Sequence, residues 1–284
     1  MTRVAYQGEP GAFGEEAILG YFGTDTVEPV PVPTFSAVCD AVESATTDAG
    51  VLPLENSLVG TVGDALDALA TGSLTVVGEV LLPVHHHVLV LPGVSPDEVE
   101  HVASHWQALS QCERFLAERG WTVVPAADTA GAARELATGG DRHAAAIASE
   151  RAATHYGLEI AARDIADSPH NVTRFALLAR SENHSLPPAS GTLAPQPGNG
   201  RETLITFETG HRPGDLHRAL GAFAEAGINL SRIESRPSGS GPWRYRFLVQ
   251  VVGDAAVQPL SAALVALREH TSSMRVLGSF DVAA

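Results

Sequence analysis

The feature that most constrains the fold of this chain is a break in its apolar pattern between Ser181 and Arg201. This stretch is rich in Pro, Gly, Ser and Asn and lacks the spacing of apolar residues expected of a helix or a strand, which is typical of a linker. The chain has 284 residues, and a single hydrophobic core usually stops growing below that length. The sequence therefore predicts two domains, residues 1–180 and 201–284, joined by a linker over residues 181–200.

Residues 1–180 alternate between strand patterns and helix patterns. Short apolar runs such as Val4–Tyr6 and Gly50–Leu54 are each followed by a helical segment, and the alternation continues as far as Ile160. This β-α repetition predicts a mostly parallel sheet. A further buried strand near Asn171–Ala179 would let one segment cross back to the first half of the domain. We therefore expect a two-lobed α/β binding fold.

The C-terminal part has a different order of elements. Beyond the linker the apolar pattern predicts, in sequence, a strand, a helix, two strands, a helix and a final strand that ends near Val282. The order β-α-β-β-α-β is the ferredoxin-like arrangement. The fold prediction is thus α/β throughout, with a two-lobed first domain and a smaller ferredoxin-like second domain.

Acidic side chains dominate the composition. Lys and Arg number 18 against 33 Asp and Glu, a formal net charge of -15, so no general affinity for nucleic acid or anionic membrane is expected. An anionic substrate would need local positive charge, which gives weight to each well-placed Arg. Cys39 and Cys112 lie in apolar helical patterns, and neither a signal peptide nor an 18-residue apolar span is present. We expect a cytoplasmic protein with reduced thiols.

The stretch that suggests a site most strongly is a polar turn leading into the last buried strand of the first domain. At the mouth of that strand stand Thr173, Arg174 and Phe175. Successive strand residues point to opposite faces, so Thr173 and Phe175 face one way and Arg174 the other. Arg can bind a carboxylate through two hydrogen bonds, and Thr can donate to a developing anionic oxygen. A small anionic substrate fits this trio, and an ordinary strand whose Arg pairs with a structural acid remains the alternative.

Two further polar stretches are candidates for the walls of the same site. Asn56 and Ser57 follow the buried strand Gly50–Leu54, at the carboxyl end where open α/β sheets place ligands. Ser104 is predicted to cap a helix, with Gln107 completing a capping box. That structural role explains both residues, so a role in binding would be additional.

Metal and nucleotide binding are not expected. In an extended chain only two of the three histidines His85–His87 share a face, and no carboxylate or thiolate lies near them in sequence. Gly8, Gly11 and Gly14 precede a helix but lack the spacing of a dinucleotide or phosphate-binding loop. This glycine-rich turn is either ligand-facing or a plain strand-to-helix turn. The sequence therefore predicts no cofactor.

Taken together, the motifs resemble the prephenate dehydratase family, which converts prephenate to phenylpyruvate in phenylalanine synthesis. The matching segments are YQGEPGAF (6–13), GVLPLENS (50–57), SHWQALSQC (104–112) and NVTRF (171–175). The C-terminal part resembles an ACT regulatory domain through the segments RPGDL (212–216) and ESRP (234–237). The resemblance covers nearly the whole chain outside the linker.

For the first domain the resemblance implies a periplasmic-binding-protein-like catalytic fold with its site in the cleft between two lobes. Thr173 matches the threonine that the family uses in catalysis. The residues implied in substrate binding are Arg174, Phe175, Asn56, Ser57, Ser104 and Gln107. Arg174 is expected to meet the side-chain carboxylate of prephenate, and Glu55 is a candidate proton source. Arogenate dehydratase and a non-catalytic amino-acid sensor remain the alternatives.

For the second domain the resemblance implies regulation. ACT domains usually pair side by side, so a homodimer or homotetramer is expected, with L-phenylalanine bound between copies as the effector. The residues implied in effector binding are Gly214, Asp215, Leu216, Asn229, Leu230, Glu234 and Ser235. Asp215 stands where the family often has a small apolar residue, and its charge would repel the carboxylate of the effector.

Overall fold

Three separate β-sheets organise the chain, in a computed structural model that describes residues 1–181, 186–195 and 200–282. The first sheet with its helices is called lobe 1, the second lobe 2, and the third the C-terminal domain. Lobe 1 and lobe 2 together form the predicted two-lobed part, because the chain leaves lobe 1, builds lobe 2 and then returns to lobe 1 for one last strand.

Lobe 1 contains six strands and three helices in the described chain. The strands are β1 (Thr2–Gln7), β2 (Val27–Val32), β3 (Ala49–Asn56), β4 (Gly60–Thr61), β5 (Thr75–Pro83) and β11 (Val172–Ala179), and the helices are α1 (Phe13–Phe22), α2 (Phe35–Glu43) and α3 (Gly63–Thr71). The strand order is β2-β1-β3-β11-β5, with β4 beside β3. The returning strand β11 therefore lies inside the sheet, antiparallel to both of its neighbours.

Lobe 2 consists of the segment that intervenes. Its strands are β6 (His87–Val90), β7 (His101–His105), β8 (Thr122–Ala126), β9 (Ala144–Ala148) and β10 (Glu159–Ala162), and its helices are α4 (Trp106–Ser110), α5 (Glu113–Arg119), α6 (Thr129–Gly139) and α7 (Glu150–Tyr156). The order is β10-β6-β9-β7-β8.

The prediction of a mostly parallel sheet is wrong for both lobes. β1 is parallel to β2 and β3, and β7 is parallel to β8 and β9, as β-α repetition requires. The strands that enter a lobe from the other lobe, β6 and β11, run antiparallel to their neighbours. The crossings between lobes therefore make both sheets mixed.

The C-terminal domain follows the predicted ferredoxin-like order. Its elements are β12 (Arg201–Glu208), α8 (Asp215–Glu225), β13 (Leu230–Pro237), β14 (Tyr245–Val252), α9 (Leu260–Glu269) and β15 (Ser273–Asp281). The strands are antiparallel in the order β13-β14-β12-β15. Both helices cover one face of this sheet, which leaves the other face to pack on lobe 1.

Lobe 1 and the C-terminal domain share one hydrophobic core. Leu52 of β3 and Leu178 of β11 pack in the same cluster as Leu204 and Leu248 of the C-terminal sheet. The backbones also come close, because a Cβ on Gly278 of β15 would lie 1.9 Å from the carbonyl oxygen of a β5 residue. The C-terminal domain is therefore fixed against the sheet that carries β11.

The predicted linker 181–200 falls partly outside the described residues. Its described middle, residues 186–195, packs on the end of α1. The backbone N–H groups of Ser190 and Gly191 donate to the carbonyl of Tyr21, and the N–H of Leu193 donates to Gly20. This segment is thus anchored to lobe 1, although its sequence has no regular apolar period.

Candidate active site

A cleft of about 1140 Å³ separates lobe 1 from lobe 2. Lobe 1 contributes the turn after β1, the first turns of α1 and α2, the segment from the end of β3 into α3, and the start of β11. Lobe 2 contributes the turn from β7 into α4 and the start of α6. Of the residues predicted for substrate binding and catalysis, the cleft brings together Thr173, Phe175, Asn56 and Gln107.

The hydrogen bonds around Thr173 fix whether its hydroxyl donates or accepts. The side chain is 8% exposed, and Asn56 Nδ2 lies 3.0 Å from its Oγ1. The amide orientation of Asn56 is fixed, because its Oδ1 accepts the backbone N–H groups of Leu58 and Val59. Asn56 therefore donates to Thr173, and the hydroxyl proton of Thr173 is left to donate into the cleft.

A chain of hydrogen bonds extends from Asn56 across the cleft floor. Asn56 Nδ2 also donates to Asn171 Oδ1 at 2.7 Å, and Asn171 Nδ2 donates to Gln111 Oε1 at 2.9 Å. His86 Nε2 lies 2.8 Å from the same Gln111 oxygen, so the imidazole carries its proton on Nε2. Burial lowers the pKa of His86, which keeps the ring neutral. The network joins lobe 1 to lobe 2 without a formal charge.

Gln111 and His86 both line the cleft, and sequence reasoning assigned neither to the site. Gln111 belongs to the SHWQALSQC segment, in which only Ser104 and Gln107 were predicted to bind substrate. His86 was considered only as a metal ligand, and no cluster in the described part of the chain could hold a metal ion. For His86 the usable signal was its position at the crossing from β5 to β6, whereas Gln111 lies within lobe 2 and offered no such signal.

Arg174 does not reach the cleft. Its Nη1 lies 2.8 Å from Glu79 Oε2, and its Nε lies 3.7 Å from Glu55 Oε2. Glu79 is 3% exposed and also accepts a hydrogen bond from Gln250 of the C-terminal domain. We therefore correct the expectation that Arg174 binds a substrate carboxylate. Strand alternation turns its side chain toward the C-terminal domain, where an acid already pairs with it.

Glu55 is held on the same side of the sheet. Its carboxylate lies between Arg174 and Arg232 and does not line the cleft. It is therefore not placed to supply a proton to a ligand there.

The two predicted serines stabilise the walls of the cleft without lining it. Ser57 Oγ donates to the carbonyl of His170 at 2.7 Å and accepts the N–H of Val172 at 2.9 Å. Ser104 Oγ donates to the carbonyl of Ile147 within lobe 2. Ser57 thus ties the end of β3 to the start of β11.

The predicted capping box at Ser104 is wrong, because β7 continues through His105. His105 caps α4 instead, its Nδ1 accepting the N–H of Gln107 at 3.4 Å. Burial lowers the pKa of His105. The Gln107 side chain is therefore free of the cap that sequence reasoning gave it, and it lines the cleft.

The charged residues that line the cleft are mostly acidic. Asp64 and Asp67 of α3 and Asp128 before α6 are among them. The 18 basic residues of the chain are all arginines, and all lie in its described part. Among them only Arg236 lines the cleft, and it comes from β13 of the C-terminal domain. Sequence reasoning placed the segment around it with the effector site.

The residues predicted for the effector site fall into two groups within one chain. Gly214, in a left-handed conformation, precedes α8, and Asp215 and Leu216 form its first turn. Asn229 and Leu230 follow the other end of that helix. Its 11 residues span roughly 16 Å at 1.5 Å each, so a single chain does not bring the two groups together.

The charge of Asp215 is neutralised locally. Its carboxylate accepts the N–H of Arg212 at 2.8 Å and pairs with Arg218 at 2.5 Å, and these contacts lower its pKa. The two remaining effector candidates on β13 point in different directions. Glu234 accepts a hydrogen bond from Thr61 of lobe 1, whereas Ser235 is exposed.

The fold and the cleft define a two-lobed α/β protein with a cleft of small-molecule size between its lobes and a ferredoxin-like domain in contact with that cleft. A family model described as prephenate dehydratase matches residues 4–183, and one described as ACT domain matches residues 203–269. The chain belongs to the prephenate dehydratase family and is a hydro-lyase.

Relatives and solved structures cover the chain almost completely. A protein named arogenate dehydratase/prephenate dehydratase 2 from Arabidopsis thaliana is 40% identical over 99% of this chain and 73% of its own length. A prephenate dehydratase from Arthrobacter aurescens, solved with L-Phe, superposes with a TM-score of 0.86 at 30% identity over 99% of this chain and 90% of its own. A quorum-quenching acylase, GqqA, superposes with a TM-score of 0.86 at 32% identity over 99% and 98%.

Proposed function

We propose that the cleft converts prephenate to phenylpyruvate, carbon dioxide and water. Prephenate loses hydroxide from one end of a cyclohexadiene ring and carbon dioxide from the other, and the electron pair of the broken C–C bond completes the aromatic ring. The dianion thus gives phenylpyruvate, carbon dioxide and a hydroxide that takes up a proton. The observation that carries the proposal is the Thr173 hydroxyl, which receives a hydrogen bond from Asn56 and keeps its own proton for the cleft.

Thr173 acts as a hydrogen-bond donor to the departing oxygen. A threonine hydroxyl is too weak an acid to give up its proton at neutral pH, so water supplies the full proton. Donation to an oxygen that gains charge only as the bond breaks stabilises the transition state more than the bound substrate. The fixed amide of Asn56 keeps the donor oriented before the reaction begins.

A spectrophotometric assay for phenylpyruvate tests the proposal directly. The purified chain should form phenylpyruvate from prephenate at a rate that is linear in protein concentration. Absence of product at saturating prephenate, from protein that unfolds cooperatively on heating, would reject it.

Arogenate is the second candidate substrate. It bears an ammonium group where prephenate bears a keto group, and several plant relatives of this chain are named arogenate dehydratases. Asp64 and Asp67 on the cleft wall could pair with that ammonium group. Turnover of both substrates by one preparation, compared as kcat/KM, identifies the preferred one.

Acyl hydrolysis, as the name of GqqA describes, receives less support from this site. A hydroxyl nucleophile needs a neighbouring base to take its proton. Among the residues that the structure describes, the hydrogen-bond partner of Thr173 Oγ1 is the amide of Asn56, which is a donor and not a base. Dehydration, which needs a donor, agrees better with this arrangement.

We also propose L-phenylalanine as the effector, bound between two copies of the C-terminal domain. The ACT family match and the relative solved with L-Phe support the ligand. The separation of Gly214–Leu216 from Asn229–Leu230 along α8 supports a site that needs two copies, in a homodimer or homotetramer. Light scattering should give a mass of two or four chains, and millimolar phenylalanine should raise the melting temperature.

A further inference from the structure

We infer that Arg236 and Asp67 form the subsite that binds the side chain of the substrate. Arg236 binds its carboxylate, and Asp67 discriminates between an ammonium and a keto group beside that carboxylate. The inference rests on the proposed function and deepens it. It gives the cleft a residue from the C-terminal domain, so the site is complete only when that domain is in place.

Strand β13 is held firmly against the cleft wall. Its alternate residues 232, 234 and 236 all face lobe 1. Arg232 Nη2 donates to the carbonyl of Leu54 at 3.1 Å, and Glu234 accepts the hydroxyl of Thr61 at 2.8 Å. The segment they contact runs from the end of β3 to α3 and includes Asn56, the partner of Thr173. The next facing residue along β13, Arg236, is thereby delivered to the cleft.

Asp67 occupies only one edge of the Arg236 guanidinium. Its Nε and Nη2 bind the two carboxylate oxygens of Asp67 at 3.2 and 2.7 Å. Its Nη1 has no hydrogen bond to any residue in the described part of the chain. The group lies close to Gly63, where a Cβ would come within 2.6 Å of both Nη1 and Nη2. The glycine admits the guanidinium, and the Nη1 edge remains free for a second carboxylate.

Charge also requires a cation in this cleft. The chain carries a formal net charge of -15, and three aspartates line the cleft. Arg174, the earlier candidate, is committed to Glu79 on the other face of β11. A dianion entering this cleft therefore meets one guanidinium, that of Arg236.

The chemistry of the reaction decides which carboxylate Arg236 should bind. The ring carboxylate leaves as carbon dioxide, so a strong ion pair there would stabilise the bound substrate against reaction. The side-chain carboxylate persists into the product, and pairing with it costs nothing in the chemical step. We assign Arg236 to the side-chain carboxylate.

Asp67 and Arg236 together present one negative and one positive group, as a binding site for the carboxylate and ammonium groups of an amino acid requires. In arogenate an ammonium group stands next to the side-chain carboxylate, and a guanidinium beside a carboxylate complements that pair of charges. In prephenate a keto oxygen takes the place of the ammonium group, and Asp67 repels it. Asp67 therefore raises the affinity of the cleft for arogenate and lowers its affinity for prephenate.

Equilibrium binding tests the subsite separately from catalysis. Calorimetry with the full chain carrying Thr173→Ala gives a Kd for arogenate and for prephenate while turnover is slowed by about 10²-fold to 10³-fold. Adding Arg236→Gln should weaken both substrates, and phenylpyruvate as well, by about 10-fold to 100-fold, because a charge-assisted pair is lost. Adding Asp67→Asn should weaken arogenate and strengthen prephenate.

Two matched variants control for indirect effects. Asp64→Asn removes an exposed acid from the same helix that forms no ion pair with Arg236, and should change the ratio of the two Kd values less than Asp67→Asn does. Glu234→Ala breaks the neighbouring contact between domains, and should also change that ratio less than Asp67→Asn does.

Three outcomes would overturn the subsite. In the first, Arg236→Gln binds both substrates as tightly as its parent. In the second, Arg236→Gln and Asp67→Asn weaken both substrates alike, as a pair that only joins the domains would. In the third, the parent binds neither substrate. Binding by the wild-type chain without formation of phenylpyruvate would instead reject the proposed reaction and leave the subsite standing.

Discussion

The two faces of strand β11 carry opposite kinds of polar contact. On the cleft face, Thr173 belongs to a network of amides and a neutral imidazole that contains no formal charge. On the other face, Arg174 forms ion pairs with Glu79 and Glu55 within lobe 1. The same two acids contact Gln250 and Arg232 of the C-terminal domain. Residues adjacent in sequence thus face the cleft on one side and the contact between domains on the other.

The difference shows how adjacent residues of β11 can have separate roles, one at the cleft and one in the contact between domains. A neutral network orients a hydroxyl without adding a field that would bind the departing oxygen too early. Burying an ion pair costs desolvation free energy, which the attraction between the two charges offsets. Removing one partner leaves the other charge buried and unpaired, which is strongly destabilising. We therefore expect substitutions on the cleft face to change turnover and substitutions on the opposite face to change stability.

The largest effect is expected on the cleft face. Thr173→Ala should lower kcat on the preferred substrate by about 10²-fold to 10³-fold, because one donor to a developing negative charge is lost. Thr173→Ser keeps a hydroxyl and should retain most of the rate. Steady-state kinetics with matched melting curves provide the measurement. A kcat for Thr173→Ala within threefold of wild type would remove Thr173 from the mechanism.

The opposite face should respond in stability. Arg174→Met leaves the carboxylate of Glu79 buried without its ion-pair partner and should lower the free energy of unfolding by about 3 kcal/mol. The KM should change little, because Arg174 does not line the cleft. Urea unfolding measures the first quantity and initial rates measure the second.

The double variant Arg174→Met, Glu79→Leu is the matched control, and it should recover much of the lost stability. A raised KM with unchanged stability would return Arg174 to the substrate and erase the distinction between the two faces.

A smaller effect separates the neighbours Asn56 and Ser57. Asn56→Asp still accepts the N–H groups of Leu58 and Val59, but it turns the donor to Thr173 into an acceptor, so the hydroxyl proton is drawn away from the cleft. We expect kcat to fall about tenfold, somewhat less than for loss of the donor itself. Ser57→Ala removes only contacts within the wall, and should cost about 1 kcal/mol of stability with kcat unchanged. Equal losses of kcat in the two variants would contradict the assignment.

The smallest effect concerns pH. Burial lowers the pKa of His86 from its ordinary value of 6.5, so the unfolded chain binds a proton below pH 6.5 that the native ring does not. Stability therefore falls as pH falls below 6.5, and this group adds no slope above that value. Unfolding between pH 7.5 and 5 should show a shallower decline in His86→Gln than in wild type. His217→Gln, on the exposed side of α8, is the matched control for loss of a histidine. An equal change of slope in both variants would contradict the role of His86.

Much of the architecture was predictable because it depends on local pattern. The apolar periods predicted the order of the main elements and the α/β fold class. Strand alternation alone separated Thr173 and Phe175 from Arg174, so the direction of the arginine was available from the sequence before its partner was known. What the pattern could not supply was the identity of that partner, because Glu79 lies on a strand almost a hundred positions earlier.

The rest depended on contacts between distant parts of the chain. The mixed direction of the strands in both sheets follows from where the chain crosses between lobes. The apolar periodicity of a single segment does not predict such a crossing. Arg236 reaches the cleft from another domain, so its segment pointed only toward regulation. Ser57 and Ser104 carried polar side chains in suitable places, yet nearby backbone groups already satisfied their hydroxyls.

The position of β11 has a consequence for synthesis on the ribosome. This strand lies between β3 and β5, yet it is translated only after all of lobe 2. While lobe 2 emerges, β3 and β5 have no strand to join them, and their facing edges stay open to incorrect pairing. The nascent chain can therefore complete the sheet of lobe 1 only after Thr173 has been translated. A truncated product lacks both the centre of the sheet and the hydroxyl proposed for catalysis.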